Sequence, residues 1–283
     1  MMDSEYFTIT QPKSILDLPE DFFLEYLSKY LEIPELFNFR CCSRMCRDLV
    51  DQMLTRRKRL CIEEDSTQNN KWETSFRVIS RKCRMLREIH LIGLPWLTED
   101  LLLEFLNNNT ELEIFSHHLC FKITSSGLHP LAVNCKKLHT LHLSGLAVCD
   151  GFLQTLNMHN NHLVDVSLSL YCLSEAILCD FFKTQIHLRI IHLSQKHFCK
   201  EHSPVLGTIA EYCKDLEYLD ILDLDRSDDE AVLKIAKSCP KVTHIVLNPD
   251  EFCDGTIEFL KSRKIDIEQK VDILSSHRYD TFY

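Results

Sequence analysis

Cysteine and histidine are the residue types in this chain with the widest reach for chemistry, fourteen of each among 283 residues. Either could ligate zinc, and a cysteine beside a histidine could act as a nucleophile. Their spacing argues for neither. No Cys-x-x-Cys pair occurs, and the tightest group, Cys41, Cys42 and Cys46, stands at i, i+1 and i+5, positions that do not converge on one face of a helix. A second candidate, Asp223-Leu-Asp225-Arg-Ser227, opens like a calcium loop with oxygen ligands at alternate places. It then lacks the glycine at the sixth place, which is Asp228, and the glutamate at the twelfth, which is Lys234. The run reads as a strand end leading into a helix cap, an acidic rim suited to a basic partner segment. With six glycines and no phosphate-cradling loop, no cofactor is expected and the chain is not expected to be an enzyme.

The elements that position the cysteines are more informative. Cys83, Cys135, Cys213 and Cys239 each stand three residues ahead of an apolar triplet of the form Leu-x-x-Leu-x-Leu. Copies of that triplet begin at Leu86, Leu112, Leu138, Leu163, Leu188, Leu216 and Val242, and a short eighth strand runs from Ile265 to Ile267. An interval of about 26 residues built on a short alternating strand is the signature of a leucine-rich-repeat solenoid. In Leu138-His-Thr-Leu141-His-Leu143 the period of two sends Leu141 and Leu143 into a core and leaves Thr140 and His142 outside. Helices fill the gaps between strands, starting at Thr98, Ser174 and Ser227 with first-turn acids behind the caps. The buried cysteines and the interval resemble the ribonuclease-inhibitor-like type of repeat, so the expected fold is an α/β horseshoe. Repeat two departs from the pattern, because Leu112-Glu-Ile-Phe115-Ser-His117 puts a histidine at an inward position. Either His117 is a hydrogen-bonded core histidine or the strand is irregular there, and irregularity is the expectation.

The outward residues of the strands form the concave surface of such a horseshoe. Glu88, His90, His142, Asp165, His192, Tyr218, Asp220 and His244 are the expected contacts for a protein substrate, with Thr140, Ser167, Ile190 and Val246 between them. His90, His142 and His192 recur at one position in alternate repeats. Strands two apart are separated by roughly 10 Å, too far for one zinc ion to bridge.

Composition bounds the class. With 45% hydrophobic residues the chain can bury a large core, yet no apolar run approaches the ~20 residues of a membrane span, and it reads as soluble. Met1 to Pro12 has no signal-like apolar run, so the cysteines are expected to be reduced in the cytoplasm or nucleus. A formal net charge of -10 argues against a nucleic-acid partner. Arg56-Arg-Lys-Arg59 reads as cations closing a helix, with nuclear import as the alternative.

Residues 14–59 have a different rhythm. Leu18-Pro19-Glu20-Asp21 starts a helix whose apolar stripe is Phe22, Phe23, Tyr26, Leu27, Tyr30 and Leu31. Pro34-Glu35 restarts the chain into Leu36, Phe37 and Phe39, and Ser43 can cap a third helix carrying Met45, Cys46, Leu49, Val50, Met53 and Leu54. So short a module cannot hide this many large side chains in its own core. Either a foreign protein covers some of them or they cap the open end of the solenoid.

Ile15-Leu-Asp-Leu18-Pro19-Glu-Asp-Phe22, then Tyr26-Leu27, Leu31 and Pro34-Glu-Leu36-Phe-Asn-Phe39-Arg40-Cys-Cys42-Ser-Arg44-Met-Cys46-Arg47-Asp-Leu49 resembles an F-box. Cys46 stands where that motif usually has tryptophan. F-box followed by leucine-rich repeats is the arrangement of the F-box/leucine-rich-repeat family. Membership would imply docking on the Skp adaptor of an SCF (Skp, cullin, F-box) ubiquitin ligase, with the solenoid holding an unidentified protein for ubiquitination. Leu18, Pro19, Phe22, Leu27, Leu31, Leu36 and Phe39 are then the expected adaptor contacts. A ligase-independent binding scaffold is the alternative. The organisation expected is a disordered 1–13, the F-box at 14–59, a connecting loop at 60–75, repeats at 76–270 and a tail at 271–283.

Overall fold

The computed structural model describes residues 18–63, 71–120, 122–144, 148–195, 203–224 and 228–268. The two terminal segments anticipated at 1–13 and 271–283 lie outside the described residues, as do 64–70 of the anticipated loop and 225–227 of the acidic run.

The head starts with a π-helical run, Phe22–Leu27, that passes directly into α1 (Ser28–Tyr30). Two longer helices follow, α2 (Ile33–Cys42) and α3 (Arg44–Arg56). Their boundaries have local causes. Pro34 lies in the first turn of α2, and the Glu35 carboxylate accepts the Glu32 backbone N–H at 2.9 Å, one half of a capping box. Ser43 ends α2 and caps α3, its hydroxyl accepting the Cys46 N–H at 3.1 Å.

Behind the head, strands and helices alternate: β1 (Arg59–Glu63), α4 (Lys71–Lys82), β2 (Glu88–Ile92), α5 (Glu99–Asn107), β3 (Ile114–His118), α6 (His129–Asn134), β4 (Thr140–Ser144) and α7 (Asp150–His159). Then come β5 (Asp165–Ser169), α8 (Glu175–Thr184), β6 (Ile190–Gln195), α9 (Ser203–Tyr212), β7 (Tyr218–Leu224), α10 (Asp229–Ser238), β8 (His244–Val246), α11 (Asp254–Ser262) and β9 (Asp266–Glu268). The nine strands form one parallel sheet in chain order. Strands stack about 4.8 Å apart whereas helices need about 10 Å, so the stack bends with the sheet on the inside. In β4, Leu141 and Leu143 are fully buried and Thr140, His142 and Ser144 stay partly exposed, as the alternation requires.

The sheet begins earlier than the triplets indicate. β1 lies partly in the stretch anticipated as a loop, with Leu60 and Ile62 buried, and α4 starts ahead of residue 76. Leu60-Cys-Ile62 is too short to show the full triplet. Parallel pairing with β2, Arg59 opposite Glu88, makes it a strand. The basic run after α3 belongs to this junction. The Arg57 guanidinium donates to the Leu31 carbonyl at 3.3 Å and to that of Arg59 at 2.9 Å. Asp51 completes the tie, held by Arg40 at 2.8 Å and by Lys82 of α4 at 3.0 Å. Burial pushes the Asp51 carboxyl up, but the bonds from Arg40 and Lys82 outweigh it and hold it below its ordinary value.

Neighbouring repeats are stapled at the position three residues before each strand triplet. Cysteine fills it in four repeats, while Asn109, Asn160 and Gln185 fill it in the others, all buried. The Asn109 amide donates to the Cys83 carbonyl at 3.0 Å and accepts the Leu86 N–H at 3.2 Å. Gln185 donates to the Asn160 carbonyl at 2.7 Å and accepts the Leu163 N–H at 3.1 Å. Thiols at the same place point at carbonyls of the preceding repeat, Cys135 Sγ lying 3.6 Å from Asn109 O. Burial pushes Cys83, Cys135 and Cys213 up to about 12, so they act as small apolar residues with a weak donor. On the helical side, Glu99 and Asp150, at the first turns of α5 and α7, accept the Thr124 and Ser174 N–H groups of the following repeats at 2.9 and 2.8 Å.

Repeat two corrects the expectation of irregularity. β3 is a regular strand in which His117 is fully buried, in register with Leu91 and Leu143. Pairing on both sides holds the strand straight, so the histidine enters the core. Neither ring nitrogen has a hydrogen-bond partner, and burial lowers its pKa to about 4. The turn that follows puts Leu119 at φ 56, where the preceding repeat has Gly93 at φ 64. A left-handed leucine costs about 1 kcal/mol more than glycine.

Replacing His117 by Leu should raise stability by about 1–3 kcal/mol, because a buried unpaired polar ring becomes the side chain of its neighbours. The sign with pH follows from the lowered value. The unfolded chain protonates this histidine near 6.5 and the folded chain only near 4, so its contribution is complete above pH 6.5 and is lost as pH falls towards 4. Urea titrations at pH 7 and pH 5 should show a smaller difference for His117→Leu than for wild type, and an equal difference refutes the assignment. Leu119→Gly should add about 1 kcal/mol in the same assay.

Candidate functional site

Two surfaces stand out, one on the head and one on the sheet. In the head, the apolar stripe anticipated for the first helix is divided between two faces. Phe23 and Leu24 turn inward, and Phe23 stacks on Phe39 with ring centroids 6.4 Å apart. Phe22, Tyr26 and Tyr30 turn outward, 37%, 59% and 80% exposed. The wider π-helical turn, closed by i to i+5 bonds, favours one face for residues four apart. Phe22 and Tyr26 stack there at 6.3 Å. Pro19 is exposed, and Leu18, Leu27, Leu31 and Phe39 are half-buried against the core.

Leu36 is a correction. Anticipated as an adaptor contact, it is fully buried with Ile33, Val50 and Leu54 in the core shared by α2, α3 and the first repeat. Its i, i+3 relation to Ile33 directs both inward, a choice that packing with α3 makes and spacing alone does not. Cys46, at the usual tryptophan position, is also inside, its sulfur 3.1 Å from the Ser43 hydroxyl.

On the sheet face, histidines meet carboxylates in every other strand. His90 Nε2 lies 2.7 Å from Glu88 Oε1, His142 Nε2 3.0 Å from Asp165 Oδ1, and His192 Nδ1 3.3 Å from Asp220 Oδ2. At the far end, His244 Nε2 is 3.9 Å from Asp266 Oδ2. The rings form a row: His142 to His192 at 6.2 Å, His192 to Tyr218 at 5.1 Å, Tyr218 to His244 at 6.2 Å. The separation of His142 and His192 is well below the roughly 10 Å that strand spacing implies. Ser167, which lies between them in the register, is too small to hold the rings apart.

Two further anticipated contacts need correction. His90 is only 7% exposed, tucked against Glu88, and offers a partner little surface; Val246, on the three-residue strand β8, is buried at 2%. Asp266 was not among the anticipated contacts, although continuing the register one strand beyond His244 would have pointed to it. Tyr26 and Tyr30 were likewise recognisable only from their four-residue spacing to Phe22.

Among the described residues no group of three or more His, Cys, Asp or Glu side chains could hold a metal ion, and no helix is long and apolar enough to cross a membrane. The Ser125 hydroxyl, 2.9 Å away, lowers the pKa of the exposed Cys149 thiol, which precedes α7.

Residues 15–58 match the F-box domain family. The head is an F-box. It is followed by a leucine-rich-repeat solenoid, and the F-box supplies the wall against which the first repeat packs. The chain is similar to a chain of the crystal structure of the Rad7 and Elc1 complex in yeast, at 15% identity and a TM-score of 0.41, covering 86% of this chain and 84% of that one. It is also similar to the leucine-rich repeat-containing protein LegL7 from Legionella pneumophila, at 10% identity and a TM-score of 0.38, covering 75% and 82%. No curated protein matches by sequence.

Truncation should separate the two roles of apolar residues in the F-box. Leu36→Ala is expected to destabilise the protein by about 2–5 kcal/mol. Tyr30→Ala should change stability by no more than about 0.5 kcal/mol. Thermal melts followed by circular dichroism measure both, and equal effects would contradict the division into inward and outward faces.

Proposed function

We propose that this F-box protein is the substrate-recognition subunit of an SCF-type ubiquitin ligase. The F-box docks on a Skp-type adaptor and through it on a cullin, and the strand face of the solenoid holds a protein for ubiquitination and proteasomal degradation. The chain itself performs no catalysis in this reading. One observation carries it: a matched F-box domain leaves Phe22, Tyr26 and Tyr30 facing solvent on one side of its first helix, an aromatic patch of the kind that anchors protein interfaces. The adaptor surface is then Leu18, Pro19, Phe22, Tyr26, Leu27, Tyr30, Leu31 and Phe39. Leu36 supports it from inside. In this reading the protein works in a reducing compartment, cytoplasm or nucleus.

A specific observation also favours the second reading, a ligase-independent scaffold. The F-box shares one continuous core with the repeats and is tied to them by Asp51 and Arg57, so it serves as the solenoid's end cap whatever else it binds.

Adaptor capture separates the two. The purified chain should retain a Skp-type adaptor, and Phe22→Ala with Tyr26→Ala should weaken that contact by about a hundredfold, since each exposed ring contributes roughly 1.5 kcal/mol or more when covered. Leu18→Ala with Pro19→Ala should act in the same direction. Failure of the folded wild type to bind adaptor would leave the scaffold reading in its place.

A further inference from the structure

The strand face has a charge pattern that narrows what it can hold. Outward positions of β2 to β9 carry the carboxylates Glu88, Asp165, Asp220, Asp266 and Glu268, and among their described side chains no lysine or arginine. Cations near the strand entrances are already committed to carboxylates: Arg59 to Glu88 at 3.0 Å, Arg87 to Glu113 at 3.3 Å and Arg189 to Glu217 at 2.7 Å. A face whose described carboxylates outnumber its described lysines and arginines, with Arg59 already paired to Glu88, draws positive charge and repels negative.

The carboxylates border a row of rings. Asp220 is held in place, one oxygen accepting the Leu222 N–H at 3.1 Å and the other 3.3 Å from His192 Nδ1. It stands two residues from Tyr218, whose ring lies 5.1 Å from that of His192. In the register, Asp165, Ile190 and Tyr218 are neighbours across three strands. Half-buried Ile190 provides an apolar floor between a carboxylate and an aromatic face. That combination suits a long cationic side chain, whose stem lies on apolar surface while its head meets ring and carboxylate together. Arginine suits it better than lysine, because a planar guanidinium stacks on the ring and reaches a carboxylate at its edge.

We infer that the solenoid takes its protein partner through an extended segment bearing arginine or lysine, with a cationic head over Tyr218 and His192 between Asp165 and Asp220. This deepens, and rests on, the reading of the strand face as the substrate surface.

The test is fluorescence anisotropy on the full chain, with labelled Gly-Ser peptides of about nine residues, roughly 30 Å when extended, carrying alternating Arg, Lys, Glu or no charge. The Arg peptide should bind most tightly and the Glu peptide not at all. Asp220→Asn, Asp165→Asn and Tyr218→Ala should each weaken the Arg peptide by about tenfold or more, and Asp220→Lys should shift preference towards Glu. Thermal melts establish that each variant is folded. Absence of any peptide binding, equal binding of Arg and Glu peptides, or indifference to Asp165→Asn and Asp220→Asn overturns the inference. Ser167→Trp, which fills the floor between His142 and His192, tells its failure from that of the underlying reading. If neutral or acidic peptides bind wild type and are lost in Ser167→Trp, the face is a binding surface and only the cationic class is wrong. If whatever binds is untouched by Ser167→Trp, the reading of the face itself falls.

Discussion

The structure depends on the fact that no repeat can complete itself. A strand with one apolar face and a helix with one apolar stripe leave backbone groups and side chains uncovered until the next unit is stacked on them. The staples before each strand show how this is met. Where the position holds Asn109 or Gln185, the amide makes two bonds to one segment of the preceding repeat, donating to a carbonyl and accepting an N–H three residues on. Where it holds cysteine, volume and a weak donor suffice. Each staple ties one unit to the unit before it, so neighbouring strands are held together beyond their ladder bonds.

That requirement also explains the head. The first strand has no repeat before it, so α2, α3 and the turns around Arg57 supply the missing neighbour, and their inward side chains merge with the solenoid core. Phe23, Leu36 and Leu54 are committed to that task. Phe22, Tyr26 and Tyr30 are not, since the π-helical run and α1 place them on the solvent side. One small module thus caps a solenoid on one face and presents aromatic rings on another.

Much of this was legible in the sequence. The interval of the triplets gave parallel strands, crossover helices and the identity of most outward residues, because a period of two leaves little freedom once one side is buried. Recognition of the F-box rested on a motif in order and spacing. The reading failed where neighbours decide. β1 is a strand because β2 pairs with it, β3 is regular because β2 and β4 hold it, and Leu36 is inward because α3 packs there. The polar staples at Asn109, Asn160 and Gln185 escaped notice because only cysteine had marked the position.

The sequence by itself determined the architecture: that parallel strands stack at a regular interval, which of their side chains alternate outward, and that a different module precedes them. These follow from local periodicity, which the chain carries without reference to anything distant. The tertiary structure alone decided which aromatic residues of the head are left facing solvent and how the histidines and carboxylates of separate strands meet. Both depend on the direction in which side chains lean once neighbours are in place, as with the His142 and His192 rings brought to 6.2 Å in strands two apart. Spacing along the chain sets the strand on which a residue stands, and packing across strands sets what it touches.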